Sequence, residues 1–180
     1  MANTVFDPGK VLGIKIKELS RRELCELACR LCDAVKEDVG AGGYRGGIYP
    51  ENISLDGEGN VALGKAKSSN WGESELGFLA PELFWKGEKS SAADVYSIGM
   101  LLYYAANGGR LPFVEAGGDD VSKGMAQQKR MNGESFAPPV SAGRRLGDII
   151  SKATKFSPHE RYQSMDELKA VLESCVKNLY

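Results

Sequence analysis

Residues 91–109 read SAADVYSIGMLLYYAANGG, and the pattern of this stretch decides the fold. Its apolar residues fall on almost every side of a helix with 3.6 residues per turn, so no face is left for solvent. The paired glycines after Asn107 end the helix, since glycine adopts the backbone conformations that close one. We predict that this helix starts after Ser90 and forms the enclosed central pillar of a helical protein.

Amphipathic helices are predicted on both sides of the pillar. Ser20 and Glu23 form a capping box, and an apolar stripe at helical spacing follows it to about residue 38, before Gly40. The last helix opens with a second capping box, Ser164 with Glu167, and carries one apolar face. Both stripes need a partner surface, which the pillar supplies.

Loops, a hairpin and shorter helices are predicted for the remaining segments. The predictions are a glycine-rich connection over 40–47, a hairpin of NISL and NVAL about the turn DGEG, an irregular surface segment over 64–77, a short helix near Pro81, a loop and surface helix over 115–134, and a helix striped by Leu146, Ile149, Ile150 and Ala153. The result is a mainly α architecture in one domain over 1–180, with a lead-in over 1–19 and a core over 20–180.

Composition is that of an ordinary soluble globular protein. The chain has 180 residues, 42% hydrophobic and 26% charged, with a net charge of −1, which argues against a dedicated nucleic-acid or membrane surface. No apolar run approaches about 18 residues and the N-terminus lacks a signal-peptide pattern, so we predict a cytoplasmic protein without membrane insertion. Cys25, Cys29 and Cys32 share one helical face and are predicted to be core residues instead of metal ligands.

Several polar and aromatic residues receive a plain structural interpretation. Trp71 and Trp85 are predicted to cover the edge of the core. The charged stretch from Asp119 to Arg130 is predicted to be a solvated face. His159, the only histidine, lies in the polar turn SPHER, where an exposed side chain needs no catalytic role.

Four motifs, in their order along the chain, resemble a known family. YPENISLDGEGNVAL, LAPEL, the pillar followed by RLPF, and SPHERYQSMDEL resemble the C-terminal lobe of a eukaryotic-type protein kinase, from about residue 19 onward. Within that superfamily the sequence most resembles the kinase non-catalytic C-lobe domain, KIND, in which this lobe stands alone as a protein-interaction module. The resemblance implies a kinase C-lobe-like fold with one small hairpin and without the N-terminal lobe.

The loop RGGIYPEN departs from the family pattern H-R-D-x-K-P-x-N. Arg45 stands at the His, Gly46 at the Arg and Gly47 at the Asp, while Pro50 and Asn52 remain. A kinase uses that Asp to orient the substrate hydroxyl, and holds magnesium with the Asn and a second Asp. One Asn without carboxylates is a poor magnesium site, since this hard cation binds charged oxygen ligands.

The second magnesium position is also changed. Residues 61–72 contain no Asp or Glu, and the resemblance places Lys65, Ala66 and Lys67 where the family has Asp-Phe-Gly. Lysines there would repel the metal. No G-x-G-x-x-G precedes the first helix. These losses lead to the prediction that the chain is not an enzyme and uses no nucleotide cofactor and no metal.

The resemblance also assigns architectural roles. It implies that Glu82 pairs with Arg161, and that Asp94 anchors the backbone of the degenerate catalytic loop. We expect removal of one member of such a buried pair to be costly, because the other charge is stranded. These three residues are therefore predicted to be scaffold.

The predicted function is binding of a protein or peptide partner. The candidate docking face comprises Tyr44, Tyr49, Lys65, Lys67, Trp71 and the segment 64–79. Its lysines favour an acidic segment. Two alternatives stay open: a pseudokinase with residual nucleotide binding, and an accessory structural domain of a larger membrane or regulatory protein.

Overall fold

The computed structural model describes residues 16–40, 42–56, 59–66 and 69–178. Over these residues the chain is mostly helical with one two-stranded antiparallel sheet, which confirms the mainly α fold predicted from the sequence. The helices are α1 Arg21–Val39, α2 Glu73–Leu76, α3 Pro81–Lys86, α4 Ser91–Ala106, α5 Asp120–Met131, α6 Gly143–Ala153 and α7 Met165–Lys177. The strands are β1 Ile53–Leu55 and β2 Val61–Leu63.

Helix α4 is the enclosed pillar that its apolar sequence predicts. Every residue from Ser91 to Tyr103 is buried. The buried hydroxyl of Ser97 is satisfied, since it donates to the carbonyl oxygen of Phe78 at 2.8 Å and contacts that of Ala93 at 3.2 Å. Gly99 lets α6 approach closely, because a Cβ there would lie 2.8 Å from the Cβ of Ala153.

Helices α1 and α7 pack side by side and bury the two stripes read from the sequence. The capping box of α1 is confirmed: Ser20 Oγ accepts from Glu23 N at 3.3 Å, and the Glu23 carboxylate accepts from Ser20 N at 2.8 Å. The box predicted for α7 is only half formed. Ser164 Oγ accepts from Glu167 N at 3.2 Å, but the Glu167 carboxylate accepts from the backbone of Gln163 instead.

The hairpin has the predicted position and short strands. Ile53 faces Leu63 and Leu55 faces Val61 across the antiparallel pair. Ile53 is fully buried, so β1 attaches the hairpin to the core. Residues 57 and 58 of the predicted turn lie outside the described residues.

Two local predictions are wrong in part. The segment 64–77 was expected to be irregular, but it contains the four-residue helix α2, whose Glu75 is buried. The charged stretch from Asp119 to Arg130 was expected to be a solvated face, and Asp119, Asp120 and Lys129 are exposed, but Arg130 is only 3% exposed. The reason is tertiary: α5 ends against the segment after the pillar, where Arg130 Nη1 donates to the carbonyl oxygen of Pro112 at 3.0 Å.

The cysteines and tryptophans follow the sequence interpretation in part. Cys25, Cys32 and Cys175 are buried and free, as expected of core residues, and Cys29 is half-buried. Trp71 packs against the core, whereas Trp85 is exposed and only its indole N–H is fixed, by the carbonyl oxygen of Met131. In the part of the chain that the structure describes, no helix is long and apolar enough to cross a membrane.

Candidate functional site

The loop RGGIYPEN lies against the start of α4, and its two glycines explain its path. Gly46 and Gly47 are buried and have φ values of 67° and 70°, a left-handed region that favours glycine. A Cβ at Gly47 would lie 2.6 Å from the carbonyl oxygen of Lys65 and 2.9 Å from Nδ2 of Asn52. The loop therefore closes on its neighbours at a position where any side chain would collide.

Asp94, in the first turn of α4, holds the backbone of the loop. Its carboxylate accepts the backbone N–H of Arg45 at 2.6 Å and that of Gly46 at 2.9 Å. Asp94 is fully buried, and burial raises its pKa to about 6, although both backbone bonds and the Arg45 charge act in the opposite direction. The position of this carboxylate on α4 fixes two consecutive peptide groups of the loop.

The Arg45 side chain ties the loop to two further segments. Its buried guanidinium donates to the carbonyl oxygens of Gly46 and Gly64 and forms an ion pair with Asp38 near the end of α1. Arg45 thus joins α1, the loop and the end of β2. At the position that the resemblance matches with the His of the family pattern, Arg45 acts here as a structural crosslink.

Asn52 bridges the two stretches that the family alignment assigns to magnesium. Its Nδ2 donates to the carbonyl oxygen of Gly47 at 2.7 Å and to that of Lys65 at 3.0 Å. Its Oδ1 lies so near Gly64 that a Cβ there would collide at 2.0 Å. Within the described ranges, no three His, Cys, Asp or Glu side chains are grouped so that they could hold a metal ion.

The structure brings together only part of the predicted docking face. Tyr44 and Trp71 meet beneath the loop, where their polar atoms are buried. Burial raises the pKa of Tyr44, as do the carboxylates of Asp94 and Glu75, while the neighbouring Trp71 lowers it. Both residues are half-buried, and their part in a docking face stays a prediction.

The other members of that face differ in exposure. Lys65 is exposed and Tyr49 is half-buried. Lys67 lies outside the described residues.

Glu82 and Arg161, assigned to the scaffold by resemblance, are paired in the structure. Arg161 donates from Nη1 to one carboxylate oxygen of Glu82 at 2.7 Å and from Nη2 to the other at 2.8 Å. Its remaining donors reach the carbonyl oxygens of Ala92, Lys155 and Phe156. One side chain therefore links α3, α4 and the turn before α7.

A cavity beside the loop was not anticipated from the sequence. It has a volume of about 520 Å³ and lies between the loop, α2, the end of α4 and α5. The apolar part of its lining includes Leu76, Phe78, Tyr104, Leu111 and Val114, and charged side chains around it include Glu51, Arg110, Asp120 and Lys123. Its residues come from separated segments, and no single motif signals such a cavity.

Comparison with known proteins places this architecture in a family. The model of the protein tyrosine and serine/threonine kinase family matches residues 61–172, which is more than half of the chain. CBL-interacting protein kinase 21 of Oryza sativa subsp. japonica is 30% identical over 163 residues, 80% of this chain and 29% of that protein. Protein kinase 3 of Dictyostelium discoideum is 32% identical over 167 residues, 82% of this chain and 17% of that protein.

A bacterial relative is similar as well. Serine/threonine-protein kinase PrkC of Bacillus subtilis is 27% identical over 138 residues, 71% of this chain and 21% of that protein. The chain thus spans less than a third of the length of these relatives.

These findings contradict the prediction that the chain is not an enzyme, because the family and the names of the relatives point to a protein kinase. The prediction extended the chemistry of single positions, such as Gly47 and Lys65, to the activity of a whole protein. This chain corresponds to only a part of its relatives, so those positions do not decide that activity. The kinase-like lobe is the firm result: the chain belongs to the protein tyrosine and serine/threonine kinase family.

Proposed function

We propose that this lobe binds a protein or peptide segment, as an interaction module of the kind that KIND represents. The observation that carries the proposal is the cavity of about 520 Å³ beside the loop RGGIYPEN. Its apolar lining can take one or two partner side chains, and its charged surround can fix their orientation. The names of the relatives, which describe them as protein kinases, support a macromolecular ligand.

The cavity is built for an extended chain more than for a compact ligand. Leu76, the last residue of α2, and Phe78, in the connection from α2 to α3, both line the cavity, and so does Leu111, after α4. A Cβ at Gly77 would lie 2.6 Å from Cδ1 of Leu111, so the two segments meet closely at the glycine. We infer that partner side chains enter beside this contact.

The partner is proposed to carry acidic residues. Exposed Lys65 follows β2, and its backbone is tied to the loop through Asn52. Arg110 and Lys123 at the cavity add positive charge, which would steer an acidic segment and lengthen its residence. Glu51 and Asp120 repel acidic residues, so the charges around the cavity restrict where the acidic residues of the bound segment can lie.

Capture of a partner and its mapping test the proposal. Proteins that co-purify with the tagged native protein would be identified, and the segment that binds would be mapped. The dissociation constant of that segment would then be measured by fluorescence anisotropy. Leu111→Ala is expected to weaken binding about tenfold, since loss of a buried contact costs about 1–2 kcal/mol. Val140→Ala is the matched control, because Val140 is 97% exposed and does not line the cavity.

Charge reversal tests the acidic preference separately. Lys65→Glu combined with Lys67→Glu is expected to reduce affinity and its salt dependence. Unchanged binding in that variant, with a loss in Leu111→Ala, would retain the cavity and reject the acidic partner. Unchanged binding in both would reject the docking site.

Phosphoryl transfer is the second candidate function, and family membership favours it. It belongs to the whole protein, in which residues beyond this lobe would contribute nucleotide contacts. The test measures phosphate transfer from ATP to a protein by the longest natural form of the chain. In parallel, the thermal midpoint with ATP and magnesium is compared with ATP alone; a saturable rise that Asn52→Ala abolishes would place the nucleotide at this loop.

A further inference from the structure

Arg130 is a buried cation with no acidic partner among the residues that the structure describes. It lies near the end of α5 and is 3% exposed. Its one hydrogen bond among the described residues runs from Nη1 to the carbonyl oxygen of Pro112, and its buried Nε has no acceptor. No carboxylate of the described residues lies within ion-pair distance of it; the groups that act on its charge are the hydroxyls of Tyr96 and Tyr103.

Such a group is unusual because buried charges are normally paired. The guanidinium has five N–H donors in a planar fork that matches a carboxylate or a phosphate. Here the fork is mostly unused, and burial lowers the pKa of Arg130 because the charged form loses its hydration. The contrast with Arg161 is direct: that equally buried arginine has its donors occupied by Glu82 and three carbonyl oxygens.

Arg130 lines a second cavity, of about 330 Å³, as well as the cavity beside the loop. This cavity is bounded by α3, α4, the turn after α5 and the end of α6. Its polar lining includes Ser135, Ser151 and Lys155, and its apolar lining includes Pro81, Phe136 and Phe156. Lys155 adds a second positive charge, and the serines add hydroxyl donors.

We propose that this second cavity binds a small organic oxyanion, a phosphate or carboxylate carried on an apolar or aromatic group. The oxyanion pairs with the free donors of Arg130 and with Lys155, and the apolar group packs against Phe136 and Phe156. The volume exceeds that of a bare anion, which is why an attached apolar group is part of the ligand. Arg130 also borders the cavity beside the loop, whereas Lys155, Phe136 and Phe156 line only the second cavity, so the proposal rests on these residues and not on the proposed function.

The two glutamates of the cavity refine the specificity. Glu134 and Glu160 are both exposed and form no ion pair with Arg130. Their two negative charges balance the positive charges of Arg130 and Lys155. The net charge of the cavity therefore adds little to the affinity for a highly charged anion. Selection then comes from the buried fork of Arg130, where hydrogen bonds to a charged group are strongest.

Isothermal titration calorimetry with phenyl phosphate and with benzoate tests the site, and inorganic phosphate and acetate serve as probes without the apolar group. All titrations are made at one ionic strength. We expect saturable one-to-one binding of at least one aromatic probe, tighter than its bare anion. Arg130→Met is expected to weaken it about thirtyfold, equivalent to about 2 kcal/mol.

Lys155→Met provides a second variant that does not disturb the core, since its side chain is exposed, and it should weaken binding several-fold. Arg144→Met removes an exposed charge outside the cavity and should leave affinity unchanged. Absence of saturable binding of both aromatic probes to the native protein overturns the proposal. Equal losses in Lys155→Met and Arg144→Met overturn it as well, because the attraction would then be nonspecific.

Discussion

Arg161 and Glu82, 79 positions apart in sequence, face each other in the core through two parallel hydrogen bonds of 2.7 and 2.8 Å. Their side chains are 0% and 6% exposed. The Arg161 guanidinium also lies over the ring of Tyr96, 4.8 Å from its centroid. A bidentate pair with this degree of burial fixes α3 relative to the turn before α7.

Breaking this pair should destabilise the protein strongly. Arg161→Met leaves the Glu82 carboxylate buried and alone, and we expect the free energy of unfolding to fall by about 3–5 kcal/mol. Urea denaturation followed by circular dichroism measures it. Lys86→Met is the control, since Lys86 and Glu88 form an exposed pair at 3.6 Å and its loss should cost less than about 1 kcal/mol. Similar losses in both variants would contradict the role assigned to the buried pair.

The pH dependence of stability should carry a signature of Asp94. Burial raises its pKa to about 6 in the folded protein, whereas an unfolded chain has a value of about 3.9. The folded protein therefore binds this proton more tightly, so the Asp94 contribution to stability rises as the pH falls from 7 towards 4 and is lost as the pH rises through 6.

Asp94→Asn isolates that contribution. The difference in unfolding free energy between the native protein and Asp94→Asn should grow as the pH is lowered across this window. At pH 7 the variant should lose about 1–3 kcal/mol, because its amide N–H₂ would oppose a backbone N–H of Arg45 or Gly46. Asp148→Asn, at an exposed position on α6, is the control and should show no such trend. A difference that shrinks towards acid pH would refute the raised pKa.

Two helical glycines should respond to alanine in opposite directions. Gly99 lies in α4, where a Cβ would approach the Cβ of Ala153 at 2.8 Å and Cγ2 of Thr154 at 2.9 Å. Gly99→Ala should therefore destabilise by about 1–3 kcal/mol through overpacking. Gly124→Ala, in α5 with nothing within 4 Å of its Cβ, should stabilise by about 0.5–1 kcal/mol. Thermal or urea unfolding of both variants measures the change in unfolding free energy. If Gly99→Ala stabilised the protein as Gly124→Ala does, the close approach of α4 and α6 would be contradicted.

The cap of α1 should be measurable by a single substitution. Ser20→Ala removes the acceptor for Glu23 N, and we expect a loss of about 1 kcal/mol in unfolding free energy. Ser174→Ala serves as control because Ser174 is exposed within α7, where alanine is the better helix former. If Ser20→Ala lowered the unfolding free energy no more than Ser174→Ala does, the capping box would make no net contribution to stability.

The parts of the fold that were predictable are those set by local sequence. The pillar follows from an apolar run that leaves no solvent face, and the start of α1 follows from Ser20 and Glu23. Arg130 and Glu75 were missed because their burial depends on segments distant in sequence, which no pattern within α2 or α5 reveals.

The candidate site was readable only in part. The paired glycines at 46 and 47 indicated an unusual backbone turn, and the resemblance supplied Asp94 as its anchor. The step from Gly47 to the absence of enzyme activity failed, because a lobe does not specify the chemistry of the larger proteins it resembles. Both cavities depend on side chains brought together from several elements, so no local signal announced them.

The pairing of α1 with α7 has a consequence for the order in which the protein is made. Lys36 contacts Asp166 at 2.5 Å and Lys169 contacts Asp33 at 2.7 Å, so the earliest long helix is completed by the latest one. On the ribosome, nearly all the rest of the described chain is synthesised before α7, which packs against the apolar stripe of α1, emerges. A contact between segments this distant in sequence forms only after both are synthesised, so the stripe of α1 stays accessible to chaperones until then.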